Sequence, residues 1–383
     1  MSEAYIIDAT RTPTGKRRGS LQDLHGADLG AHVINQIVER NNIPENEYDD
    51  VIFGCLDTVG PLAGNIARTA WLVAGYDLSV PGVTIDRQCG SSQQAVHFAA
   101  QAIMSGTQDV VIAGGVQTMS KIPIGASMIA GRELGFDHPF HTSTGWLKRF
   151  GDAPVDQFYG ASEIAKRWGF SRKDLEYYSL NSHQRADKAR ESGWFDKEIS
   201  AINGLKQDET IRANTSMERM AELEAFDEHG LITAGVASQT CDGSSVILLA
   251  SANAVKRYNL NPRARIHHLE VMGDDPILML TGPIAATKRA LMRAGMKPSE
   301  IDLAECNEAF APVPMAWMQE TGIPHEKTNV NGGAISLGHP LGSTGTKLMT
   351  TLLHEMERRG SRYGLQTMCE GGGVANVTII ERL

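Results

Sequence analysis

DRQCGSSQQAVHFAAQAIMSGTQDVVIAGG, Asp86–Gly115, is the stretch that decides the fold class. It continues the β-branched run GVTID, and its apolar positions Ala95, Phe98, Ala99, Ala102 and Ile103 recur at the spacing of one helix face. DVVIAGG then reads as a buried strand. Strand, glycine-bearing turn, helix and strand in that order make the unit of an α/β domain with a parallel or mixed sheet. Upstream the alternation runs AYIIDA, a helix near Asp28 to Asn41, VIFGC, and a helix in NIARTAWLVAG. The last third repeats it. IDLAECNEAF reads as strand into helix, GSTGTKLMTTLLHEMERRG sets Leu348, Met349, Leu352, Leu353 and Met356 on one stripe, and RYGLQTMCEGGG is the next strand and loop. The pattern predicts two duplicated α/β halves.

Between them, from Met119 to Thr240, the composition turns charged and aromatic, and Ser171 followed by Asp174 forms a capping-box pattern at a helix start. This segment is expected to be an inserted, mostly helical subdomain that shapes a substrate pocket. The expected units are residues 1–118 with 241–262, residues 119–240, and residues 263–383.

A chain of 383 residues calls for more than one ordinary core. Its 42% hydrophobic and 21% charged content with 39 glycines describes a soluble globular enzyme with many tight turns. A net charge of -9 argues against a nucleic-acid surface, and Lys16, Arg17 and Arg18 read as a solvated loop. No apolar run approaches the ~20 residues that span a bilayer, and the amino terminus lacks a signal-peptide layout. No membrane partner and a cytoplasmic location are therefore expected; the closing ERL is not an SKL-type address. Five cysteines without CxxC spacing suggest neither a disulfide framework nor a zinc site, so no metal is expected. No GxxxxGK[ST] phosphate loop is present.

Three motifs carry the chemistry. Cys89 stands between a strand and a helix amino terminus, where the helix dipole and free N–H groups are expected to lower its thiol pKa. His339, in GHP, is a suitable base for a thiol near neutral pH. Cys369 precedes Gly371, Gly372 and Gly373, which leave the backbone open to a ligand. Asn307 in NEAF offers an amide for a water or an oxyanion, and Glu308 is expected to orient His339 through a hydrogen bond.

With these residues in place the whole chain resembles the thiolases, acyl-CoA C-acetyltransferases that cleave 3-ketoacyl-CoA with free CoA or condense acyl units in reverse. The resemblance runs through ATRTPTGK, the CGSS of Cys89, AGGVQTMS, ITAGVASQTCDGSS, ECNEAF, NGGAISLGHPLGSTG and MCEGGG. It implies a thiolase-like five-layered α-β-α-β-α core, with the inserted loop subdomain over the CoA entrance. Cys89 would be the acylated nucleophile, His339 its base, and Cys369 the acid/base at the acetyl-CoA α-carbon. A water held by Asn307 and His339 would form one oxyanion hole, and the N–H groups of Cys89 and Gly371 the other. Ser238 matches the family serine near the pantetheine arm, and Asp242 with Gly243 its DG pair. CoA would be a co-substrate with no permanently bound cofactor, 3-ketoacyl-CoA the other substrate, and the assembly a homodimer or homotetramer.

The segment GVASQTCDG departs from the GNAS of many biosynthetic members at Val236 and Gln239, and resembles degradative thiolases instead. Within these, DRQCGSSQQA, NIARTAWLVAGY, RARIHH, MLTGPI and RYGLQTMCEGGG are most similar to thiolases of steroid-ring catabolism. The implied activity is CoA-dependent cleavage of a 3-ketoacyl-CoA to acetyl-CoA and a shortened acyl-CoA, in fatty-acid or steroid catabolism. The alternatives are a short-chain acetoacetyl-CoA thiolase, a non-catalytic acyl-CoA or lipid carrier, and a condensing enzyme with two histidines. The thiol of Cys369 speaks against the last. Cys241 and Cys306 are read as packing residues.

Overall fold

Every second side chain of a strand faces the same way, so a buried sheet divides its apolar residues between two helix layers. The computed structural model describes residues 3–137 and 139–383. Its strands are β1 Ala4–Arg11, β2 Gly15–Lys16, β3 Asp50–Gly54, β4 Gly82–Ile85, β5 Val110–Thr118, β6 Cys241–Ser251, β7 Ala264–Gly273, β8 Leu303–Cys306, β9 Tyr363–Glu370 and β10 Val374–Arg382. The helices of the first half are α1 Gly26–Arg40, α2 Ile66–Ala74 and α3 Ser91–Ser105. Then come α4 Ala126–Ile129, α5 Thr144–Phe150, α6 Gln157–Arg167, α7 Arg172–Glu191 and α8 Met217–Ala221. The chain ends with α9 Ala252–Arg257, α10 Gly282–Ala294, α11 Pro312–Thr321, α12 Ala334–Leu337 and α13 Thr344–Arg359.

The sheet order is β4-β3-β5-β6-β1-β7-β10-β9-β8, with β2 paired to β6. In the first half β3 is parallel to β5, while β5–β6 and β6–β1 are antiparallel. The second half repeats this: β8 is parallel to β9, while β9–β10 and β10–β7 are antiparallel. A parallel bridge from Ala304 to Thr328 stands where β4 flanks β3 in the first half. The halves meet edge to edge where Tyr5 pairs with Arg265 and Ile6 with Ala264. The duplication read from the sequence is thus written in strand order and direction.

Layers follow from burial. One face of the first half, with Val51, Phe53, Ile112 and Leu248, packs under α1 and α2. Its other face, with Ile52, Val111 and Leu249, packs on α3 and α13, which also meet Leu303, Ile266 and Ile380 of the second half. The far face, with Leu365, Val377 and Ile379, is covered by α10 and Trp317 of α11. These are the five layers, with α3 and α13 as the middle one. Met349, Leu352, Leu353 and Met356 of α13 are buried as the stripe predicts. The buried face of α3 differs in part from the expected one: Phe98 is 41% exposed, whereas Ala95, Val96, Ala99, Ala100 and Ile103 are buried. A helix of the middle layer is covered on nearly every side, so its one-sided periodicity is weak.

Among the described residues, 119–240 add no strand to the sheet. Arg11 of β1, fully buried, pins this segment by Nε to Glu198 at 2.7 Å and by a bidentate pair to Asp208 at 2.7 and 2.9 Å. Helix α7 opens with the expected capping box of Ser171 and Asp174. Residues 16–18 are exposed. Among the described residues, no helix is long and apolar enough to cross a membrane.

Candidate active site

The middle layer brings two helix amino termini against each other. Cys89 lies in the turn between β4 and α3, where Gln88 takes a left-handed φ of 47° and Ser91 Oγ donates to Gln88 O at 2.6 Å. Gly90 is the N-cap of α3. His339 lies in the turn between α12 and α13, after Gly338 at φ 78°. The helices touch directly: Thr346 N donates to Ser92 Oγ at 3.0 Å.

Hydrogen bonds fix the state of His339. Thr344 Oγ1 lies 2.6 Å from His339 Nδ1 and 2.9 Å from Pro340 O. The carbonyl can only accept, so the threonine proton goes to Pro340 and Nδ1–H donates to Thr344. Nε2 therefore keeps its lone pair, and Asn307 Nδ2 faces it at 3.4 Å. Burial, helped by the Lys347 cation, lowers the imidazole pKa to about 3, so the ring is neutral. Lys347 Nζ donates to Leu337 O at 2.6 Å and Gly338 O at 3.0 Å, tying down the two carbonyls ahead of His339. Gln239 O accepts the His339 backbone N–H at 3.1 Å.

Cys369 is buried near the end of β9, and Gly371–Gly373 make the tight link to β10, with φ of 82° and 70° at Gly372 and Gly373. The backbone N–H groups of Gly371 and of Cys89 itself both bear on the Cys89 sulfur. The two thiols are close enough for charge on Cys89 to raise the Cys369 pKa, although burial is the larger cause. Cys89, Gly371 and Gly372 line a cavity of about 340 Å³. Its walls are Leu56, Ile124, Met128, Phe140, Val155, Phe158, Met279, Leu280 and Leu341, with Asp57, Asp86 and Asp156 among its polar groups. Ile124, Met128, Phe140, Val155 and Phe158 belong to the inserted segment, and Phe158 packs edge-on against Phe310 at 5.2 Å.

Two expectations fail. The helix amino terminus does not prevail at Cys89: desolvation of this half-buried thiol, and next the Glu370 carboxyl, push its pKa up to about 12 against the two N–H groups that lower it. Nor does Glu308 orient His339. Its carboxylate accepts from Tyr178, Ser182, Asn329 and Ile335, and Thr344 holds the imidazole instead. Thr344 lies inside the quoted GSTG run, but nothing local marks which hydroxyl meets the ring. Ser238 donates its N–H to Ala309 O at 2.9 Å and sits between Ala237 and Gln239, which line a second cavity of about 450 Å³ with His183, Arg212, Asn214 and Arg219. Cys241 and Cys306 are buried.

Profiles of two known domains match the chain: the thiolase N-terminal domain over residues 4–253 and the thiolase C-terminal domain over residues 260–382. The steroid 3-ketoacyl-CoA thiolase of Mycobacterium tuberculosis is 55% identical over 100% of this chain and 95% of that protein. The 3-oxoadipyl-CoA/3-oxo-5,6-dehydrosuberyl-CoA thiolase of Escherichia coli is 39% identical over 100% of both chains. Among solved structures, human mitochondrial 3-ketoacyl-CoA thiolase in complex with CoA superposes with a TM-score of 0.88 at 31% identity, covering 100% of this chain and 98% of that one.

Proposed function

The chain belongs to the thiolase family, and on that premise we propose that it is a degradative 3-ketoacyl-CoA thiolase acting in fatty-acid or steroid catabolism. The observation that carries the reading is the Cys89 sulfur under the N–H groups of Cys89 and Gly371, on the floor of a cavity with an apolar wall. Cys89 Sγ attacks the 3-keto carbon while His339 Nε2 takes the thiol proton. A thiol with a pKa of about 12 reacts only as it loses that proton, so base and nucleophile act together. The alkoxide forms under the two N–H groups. Its collapse breaks the bond between C2 and C3, leaving the shortened acyl group on Cys89 and the acetyl-CoA enolate beside Asn307 and His339. Cys369 protonates the enolate carbon. Free CoA then gives its thiol proton to the Cys369 thiolate and takes the acyl group from Cys89, whose departing sulfur recovers its proton from His339.

Ala309 lines the reaction cavity, and Ser238, whose N–H donates to Ala309 O, sits between Ala237 and Gln239 of the cavity lined by Arg212 and Arg219. A pantetheine arm passing Ser238 would set the CoA phosphates over these arginines. Arg212→Ala with Arg219→Ala should therefore raise KM for CoA at least about tenfold while kcat holds. Residues 1–118 with 241–262, 119–240 and 263–383 would be the structural units. A cytoplasmic homodimer or homotetramer fits the exposed Leu72, Val73, Leu78, Val83 and Phe98 on and beside the edge strand β4. Cys89→Ala should end covalent acylation by a 3-ketoacyl-CoA, read as intact protein mass; acylation that persists in this variant removes Cys89 from the role.

A further inference from the structure

We propose that Glu308 is a positioning residue, a carboxylate clamp that fixes the distance between Asn307 and His339. The proposal rests on the thiolase reading for what that pair does.

Glu308 is 1% exposed and follows Asn307 directly. Its Oε1 accepts from Tyr178 OH at 2.9 Å and Asn329 Nδ2 at 3.2 Å. Its Oε2 accepts from Ser182 Oγ at 2.7 Å and Ile335 N at 3.1 Å. Four donors from three separate segments thus converge on one side chain. Tyr178 and Ser182 come from α7, and Asn329 also brackets the end of β8 by accepting from Cys306 N at 2.9 Å and donating to Cys306 O at 2.8 Å. Ile335 belongs to α12, which ends two residues before His339. The fit is close: a Cβ on Gly333 would lie 2.7 Å from Glu308 Oε2. The path from Asn307 through Glu308, Ile335 and α12 to His339 is closed by the 3.4 Å contact between Asn307 Nδ2 and His339 Nε2.

The His339 ring is held by Thr344, whereas Asn307 is tied through its backbone N–H to Thr367 O at 3.0 Å and its amide Oδ1 is buried without a partner. Loosening the clamp should therefore leave the base in place and shift the amide. A glutamine at 308 turns an NH₂ towards one pair of donors, and buried donors left unpaired drive the segment to move.

Two half-reactions of the full-length protein separate this role from a merely structural one. Release of acetyl-CoA from a 3-ketoacyl-CoA in a single turnover without free CoA reports carbon–carbon cleavage, which needs the enolate stabilised at Asn307 and His339. Exchange of labelled CoA into acetyl-CoA reports acyl transfer on Cys89, which needs His339 and the N–H groups of Cys89 and Gly371. Glu308→Gln should slow the first at least about tenfold more than the second. Tyr178→Phe, which removes one donor and keeps the ring stacked on His325 at 5.2 Å, should show the same selectivity at smaller size. Equal loss in both half-reactions, or no loss in either variant, overturns the clamp. If the unsubstituted protein performs neither half-reaction, the thiolase reading itself falls.

Discussion

Replacing Gly345 by alanine tests whether the middle layer positions the reaction. Gly345 is the second residue of α13 and lies where that helix crosses α3. A Cβ there would sit 2.8 Å from Gln93 Cα and Cβ, and closer still to Gln93 N. These are mostly backbone atoms that no rotamer change moves aside. Relief to an ordinary contact of 3.4 Å parts the helices by at least 0.6 Å. Overpacking of this kind costs ~1–3 kcal/mol. Because Cys89 precedes α3 and His339 precedes α13, the same displacement separates nucleophile from base. Misplacement approaching 1 Å costs ~10²-fold in rate, so kcat should fall at least about tenfold. The assay is steady-state cleavage of a 3-ketoacyl-CoA with free CoA beside a thermal melt. Gly145→Ala, where only Ser143 Oγ at 3.9 Å is near the added methyl, is the control. An unchanged kcat in Gly345→Ala at full stability would refute the claim that helix crossing sets the reactive distance.

Thr344→Val removes the acceptor of His339 Nδ1–H at constant side-chain shape, frees the imidazole to change tautomer, and should lower kcat at least about tenfold with little change in KM. Stability should fall on acidification. Burial depresses His97 and His339 to about 3 and His183 to about 4, so between pH 6.5 and those values the unfolded chain binds protons that the folded chain refuses. Each group then adds a slope of up to ~1.4 kcal/mol per pH unit. Urea unfolding between pH 7 and 4 measures this, and a flat profile would show that these imidazoles are not held neutral. Inactivation by iodoacetamide should accelerate steadily from pH 6 to 9 as the Cys89 thiolate fraction grows, with no plateau. A plateau near pH 7 would mean a stable thiolate–imidazolium pair at rest.

What the sequence discloses follows from how local each cause is. Gly371 to Gly373 stand out because a tight turn needs glycine, and the α13 stripe because the rest of that buried helix is polar, with Thr346, Lys347, Thr350, Thr351 and Glu355, so its apolar residues still gather on one side. The exposed position of Phe98 and the wider buried face of α3 depend on α13, which lies far along the chain. The helix dipole at Cys89 is local and legible. The burial and the Glu370 carboxyl that outweigh it are tertiary. Glu308 is visible as an acid beside Asn307, but its burial and its donors from α7, Asn329 and α12 are tertiary, and no spacing near NEAF names them.

The central claim is that this site cleaves 3-ketoacyl-CoA with CoA. Its most direct test is CoA-dependent release of acetyl-CoA from esters ranging from acetoacetyl-CoA to a bulky steroid-ring fragment, with products identified by mass. The account predicts acetyl-CoA and an acyl-CoA two carbons shorter, formed faster from the long or bulky esters. Preference for acetoacetyl-CoA would contradict the degradative assignment, and cleavage of none would contradict the enzyme.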